Sequence, residues 1–296
     1  MADPAAPRRP IDVRAVQHIA RRLGGANEPP WLHREVARRL AERLPIVRRQ
    51  PQRVIDASGW SGGGEPFPAP QSRAAQLGGA VPVGAPAAAA PPWWHRLVRR
   101  AAAAQPLASG APWPDQVGLV WSNMVLHAAA DPPAEFARWL AALEVDGFVM
   151  FSCLGPGTLV ELRAIYAAQG WGPPGAAFVD MHDLGDMLVH AGFADPVMDQ
   201  ETLTLTWPNA EAALAECRSL GGNAAPDRRA GCRTPRWRQR LLEALAARTA
   251  GAPVGLSFEV VYGHAFRAAP RVRVASETTI PLESMRSLVR SGRARE

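Results

Sequence analysis

From residue 116 to residue 266 the chain alternates short apolar runs with amphipathic segments, and few architectures accept that order. QVGLVWSNMVL, starting at 116, and FVMFSCL, 148 to 154, are nearly continuous apolar runs. Such runs read as strands buried on both faces. Between and after them come helical segments with their own punctuation. DPPAEFARWLAAL has Asp131 as N-cap and Pro132 at its first position. GPGTLVELRAIYAAQG enters through Gly-Pro-Gly, MHDLGDMLVHAGF (181 to 193) closes on Gly192, and PNAEAALAECRSLGG is capped by Asn209 and stopped by Gly221 and Gly222. A further helix is expected over 235 to 248. VMDQETLTLTW and LSFEVVYGHAF, 256 to 266, complete the set of strands. Strands alternating with helices define an α/β fold whose mostly parallel sheet is covered on both faces. The last two strands are separated by a helical insertion, 208 to 255, at the edge where open α/β sheets bind ligands.

Upstream, residues 12 to 23 are weakly helical and WLHREVARRLAERL, 31 to 44, strongly so. In the latter Leu32, Val36, Leu40 and Leu44 recur every four residues and arginines cover the opposite face. This helix leads into RVIDAS and then a glycine-rich loop, SGWSGGG. From Gly59 to about Asp115 the sequence is mostly Gly, Pro and Ala. AVPVG at 80 to 84 reads as a short strand and WWHRLVRRAAAA at 93 to 104 as a helix within an irregular stretch.

Charge bounds the function less than it first suggests. The net charge is +6, and all 33 basic residues are arginine, spread along the chain. That spread does not make a nucleic-acid footprint, and an acidic protein partner is the better use of the excess. The three cysteines, Cys153, Cys217 and Cys232, show no metal or disulfide spacing. No run is long enough to span a bilayer, and MADPAAPRRP lacks the apolar core of a secretory signal, so a cytoplasmic location is expected.

Four stretches carry a resemblance. LVWSNMVLH (119 to 127), FSCLGPGTLVELR (151 to 163), FVDMHDLGDMLVHAGFADPVMD (178 to 199) and FEVVYGHAF (258 to 266) are similar, in order and spacing, to the malonyl-acyl-carrier-protein O-methyltransferases of biotin synthesis. These are class I enzymes dependent on S-adenosyl-L-methionine. The resemblance implies a Rossmann-like seven-stranded sheet, mostly parallel with the last strand antiparallel, and a helical lid insertion. It divides the chain into N-terminal helices (1–50), a methyltransferase-like domain (51–268, with 57–115 degenerate and 208–255 the lid) and an arginine-rich tail (269–296) expected to be disordered.

The resemblance also implies a reaction, in which the free carboxylate of a malonyl thioester on acyl carrier protein takes the methyl group. It makes Arg218, on the lid helix, the cation for that carboxylate. It places the cofactor at Asp56, Ser58, Gly59, Gly62, Ser122 and Asn123. The first loop departs from the family pattern, with Ser58 and Trp60 where glycines are usual. No carboxylate stands at Ala85-Pro86 or at Gln105-Pro106, and Ala26 replaces an aromatic residue. These departures raise a second expectation, a methyltransferase-fold protein without catalysis that keeps a binding or regulatory role. The same residues have plain structural readings: Asp56 and Ser122-Asn123 as turn chemistry, His127 as structural, Tyr262 and His264 as a half-buried strand, and Asp180, His182 and Asp183 as a helix start.

Overall fold

The computed structural model describes residues 9–24, 28–49, 51–58, 76–78, 105–106, 113, 116–249, 253–269, 282–283 and 286. The chain runs α1 (Val13–Gly24), α2 (Trp31–Arg43), β1 (Val54–Asp56), β2 (Gln76–Gly78), β3 (Gln105–Pro106), β4 (Val117–Ser122), α3 (Pro132–Ala142), β5 (Leu143–Leu154), α4 (Val160–Ala168), α5 (Met181–Ala191), β6 (Ala194–Trp207), α6 (Ala210–Ser219), α7 (Pro235–Ala247) and β7 (Val254–Phe266). The strands form one sheet in the order β3-β2-β1-β4-β5-β7-β6. β1 pairs in parallel with β2 and β4, and β4 with β5, whereas β7 runs antiparallel to both neighbours. The alternating pattern therefore yields the expected α/β sheet, with the last strand in the chain antiparallel.

Period-two alternation sorts the core into two faces. Leu119, Trp121, Phe148, Met150, Val260 and Tyr262 pack with α2, α4 and α7 on one face. Val120, Val149, Phe151 and Val261 pack with Phe136 and Trp139 of α3 and Leu184 and Leu188 of α5 on the other. Burying each of these large side chains contributes about 1.5–3 kcal/mol, which is why both sides of β4 and β5 are apolar. The caps hold as read. Asp131 accepts from Ala134 N–H at 3.0 Å, and Asn209 accepts from Ala212 N–H at 2.9 Å. Gly192, at φ 100°, ends α5 in the left-handed conformation that favours glycine.

Two boundaries differ from the sequence reading. β5 starts at Leu143, directly after α3, rather than at 148. It bends where Asp146 takes a φ of 61°, and a Cβ on Gly147 would sit 2.8 Å from the Glu144 carbonyl oxygen. The second strand lies at Gln76–Gly78, ahead of the expected 80–84 segment. That segment lies outside the described residues, as do the helix expected at 93–104, Ala26, Trp60, Ala85, Pro86 and nearly all of the 269–296 tail.

β6 is the edge strand, and α2 is clamped onto it by charge. Arg39 pairs with Glu201 at 2.6 Å and Arg43 with Asp199 at 2.8 Å. Tyr262 donates to Glu201 at 2.7 Å, while the Arg43 guanidinium stacks 3.9 Å above the Tyr262 ring. Among the described residues no helix is long and apolar enough to cross a membrane.

Candidate active site

A cavity of about 510 Å³ opens at the carboxyl ends of β1, β4 and β5. Its floor is Ala57, Ser58, Met124, Leu154 and Leu159, its side wall is the apolar face of α1, and its roof comes from α6 and α7 of the insertion. Two floor residues are held in a conformation unfavourable for side-chain-bearing residues: Met124 has φ 55° and Leu159 φ 56°. Such outliers cost of order 1 kcal/mol or more and persist where the surroundings impose them. Met124 is imposed by Ser152, whose carbonyl and hydroxyl oxygens both accept its N–H, at 3.0 and 3.1 Å. Leu159 is fixed by its N–H, which donates to the Ser257 carbonyl at 2.6 Å.

The GPG entry to α4 serves β7. The Glu259 carboxylate accepts from Gly157 N–H at 3.2 Å and lies where a side chain on Gly155 or Gly157 would go. Thr158, also on the cavity wall, donates its hydroxyl to the Glu259 carbonyl at 3.1 Å. These contacts lock the β5–α4 turn against β7 and set the position of the floor.

The residues expected to face a cofactor take different places. Asp56 ends β1 and accepts from Ser58 N–H at 2.8 Å. Ser58 lines the cavity, and its hydroxyl oxygen accepts from Asn123 N–H at 2.5 Å. Gly59 and Gly62 lie outside the described residues. Asn123 is fully buried behind the floor. Its amide donates to the His33 carbonyl at 2.9 Å and accepts from the Ser152 hydroxyl at 2.7 Å. The Asn123 side chain thus ties α2, β4 and β5 together. Ser122 is fully buried as well, with no hydrogen-bond partner for its hydroxyl among the described residues. Arg218 stands at the end of α6 on the cavity wall, exposed, and no carboxylate among the described residues pairs with it. Its carbonyl accepts from Arg22 of α1 at 2.8 Å, so the insertion and α1 meet over the cavity. Asp12 and Arg228 add an ion pair at 2.6 Å across the same seam.

Other residues enter the cavity without having been singled out as site residues. His127, read from sequence as structural, lines it, and so do Phe178 and Arg163. Burial first, then the electrostatic influence of His33 and of the Arg9 guanidinium, lower the pKa of His127 to about 3 and keep the ring neutral. Arg9 anchors the backbone there, donating to the carbonyls of His127 and Ala129 at 2.9 and 3.2 Å and to that of Ala177. Asp180 caps α5 by accepting from His182 N–H at 2.8 Å, as its position suggested, and Tyr262 belongs to the charge clamp. Among the described residues no cluster of three metal-ligating side chains exists.

The donor set is compatible with S-adenosyl-L-methionine at the β1 and β4 ends. Small residues, Ala57 and Ser58, leave room there. The sequence holds no Asp or Glu between Glu65 and Asp115, so none closely follows β2.

This seven-stranded order with one antiparallel strand, and a cavity at its carboxyl edge, is that of a class I methyltransferase. No protein-family model matches the chain. Individual relatives do. The malonyl-[acyl-carrier protein] O-methyltransferase of Gallionella capsiferriformans is 36% identical over 277 residues, covering 88% of this chain and 93% of the relative. That of Laribacter hongkongensis is 36% identical over 264 residues, 82% of this chain and 84% of the relative. That of Nitrosospira multiformis is 32% identical over 291 residues, 91% of this chain and 94% of the relative. The chain belongs to the malonyl-[acyl-carrier protein] O-methyltransferase family.

Proposed function

We propose that this chain transfers the methyl group of S-adenosyl-L-methionine to the free carboxylate of a malonyl thioester held on acyl carrier protein, within biotin synthesis. The observation that carries the reading is the cavity, which joins the ends of β1 and β4 to Arg218 in one space over the family's sheet. When bound, the cofactor supplies an electrophilic methyl group on a sulfonium. The protein's residues then need only bind, align and exclude water. Asp56, Ala57 and Ser58 are the residues to hold its methionine portion, with Gly59 and Gly62 assigned the same role from the sequence and the Ser122-Asn123 turn supporting it from behind. Arg218 is the cation that first meets the carboxylate at the cavity rim, since a guanidinium pairs well with a carboxylate. The carboxylate is already anionic at neutral pH, so no general base is required. One carboxylate oxygen would be aligned with that methyl group, and the apolar walls would strip water from it.

The insertion 208–255 acts as the substrate lid, and the net charge of +6 suits an acidic carrier protein. A cytoplasmic location goes with that partner, and neither nucleic acid nor a membrane is a partner in this reading. No described residue or relative favours the catalytically inactive alternative. Calorimetric titration with S-adenosyl-L-methionine and S-adenosylhomocysteine tests the cofactor, with micromolar binding expected. Transfer of a labelled methyl group to malonyl-carrier protein tests the reaction. No heat at millimolar cofactor, or no labelled ester, overturns the reading.

A further inference from the structure

Phe178 packs against two polar groups that no site residue expected from sequence accounts for. The Arg163 guanidinium carbon lies 5.7 Å from its ring centroid, and His127 meets the same ring edge-on at 5.8 Å and 89°. All three line the cavity. Arg163, on α4, is half-buried. Its Nε donates to the Thr158 carbonyl at 3.0 Å and its Nη2 to the Ala176 carbonyl at 3.5 Å. These two contacts fix the fork's direction. They leave it without a carboxylate partner among the described residues, and burial lowers its pKa. A partly desolvated cation without a counter-anion is costly, and an anion entering the cavity removes that cost. The His127 Nδ1 is buried with no hydrogen-bond partner among the described residues. The ring is neutral, so it brings no competing cation to this wall.

We propose that Arg163 binds the substrate's free carboxylate inside the cavity, while the exposed Arg218 guides the carboxylate at the rim. The assignment rests on the methyl-transfer reading above. Its physical ground is screening. At equal separation a pair interacts about fourfold more strongly at an effective dielectric of ~20 than in bulk water at ~80, so the half-buried guanidinium outweighs the exposed one. Esterification also removes the charge that Arg163 holds, so the same residue that retains the substrate releases the product.

The test is calorimetric binding to the full chain, in the presence of S-adenosylhomocysteine, of malonyl-pantetheine and of its methyl ester. Wild type is expected to bind the free acid about 10- to 100-fold more tightly than the ester, the range of one charge-assisted interaction. Arg163→Gln is expected to bring the two within about threefold, and Arg163→Lys to keep part of the preference. Arg218→Gln is expected to keep the preference while slowing association at low salt. Thermal melts check that the variants fold; should Arg163→Gln not fold, Arg163→Lys decides, with a reduced preference. Full preference in folded Arg163 variants, or its loss in Arg218→Gln, overturns the assignment. Equal binding of acid and ester by wild type overturns it too, even where the wild-type chain methylates malonyl-carrier protein. No methylation by wild type overturns the underlying reading and the assignment with it.

Discussion

Asn123→Ala probes whether the strand-four asparagine is a structural tie or a ligand contact. The side chain is fully buried, donates to the His33 carbonyl at 2.9 Å and accepts from the Ser152 hydroxyl at 2.7 Å. Truncation leaves that carbonyl and that hydroxyl short of one partner each. A buried group left unsatisfied costs about 1–3 kcal/mol, so two give about 2–6 kcal/mol. For a chain of this size each kcal/mol lowers the melting temperature by about 2–4 °C, which predicts a fall of roughly 4–24 °C. Differential scanning calorimetry without any ligand is the assay, backed by urea unfolding at constant m. Asn123→Asp keeps an acceptor for Ser152 but turns a carboxylate toward the His33 carbonyl, so it is expected to fall at least as far. A melting temperature within about 2 °C of wild type, together with lost cofactor binding, would refute the reasoning and put the amide in the cofactor site.

Three other perturbations follow from the packing and the charge clamp. Gly263→Ala forces a methyl group into the fully buried Phe151 ring and to 2.9 Å from Met198 Sδ, and is expected to cost about 1–3 kcal/mol in urea unfolding. Tyr262→Phe removes the 2.7 Å hydrogen bond to Glu201 but leaves Glu201 paired with Arg39, so a loss of about 1 kcal/mol is expected in the same assay. Hydrogen bonds from Arg38 and then Arg39, against the opposing effect of burial, hold Glu35 at a pKa of about 2, below its ordinary 4.5. A lowered carboxylate pKa stabilises the fold above pH ~4.5 and loses that contribution as pH falls toward ~2. The melting temperature of Glu35→Gln is therefore expected to fall less than that of wild type over that window, and parallel curves would refute the assignment.

Much of the fold was legible in the sequence because local rules agreed with the tertiary outcome. The continuous apolar runs at 117–122 and 148–154 are buried on both faces, and Asp131, Asn209 and Gly192 cap the helices they flank. The start of β5 at Leu143 was not legible, since the backbone turn at Asp146 and Gly147 is dictated by close approach to the Val117 and Glu144 carbonyls, contacts remote from any periodicity. Nor was β2 at Gln76–Gly78, where parallel pairing with Val54–Asp56 gives a strand to a sequence without a strand pattern.

The candidate site divides in the same way. Sequence determined that a strand ends at Asp56, that a small-residue loop follows, and that an arginine sits near the end of the inserted helix. Only the tertiary structure decided that Asn123 faces inward to two protein partners while Ser58 lines the cavity, because both belong to turns whose side-chain directions depend on neighbouring strands. Only it brought Arg163, His127 and Phe178 together, residues from three separate segments. Among 33 arginines sequence offers no sign of which is desolvated, since burial is a property of the packed chain and not of the residue.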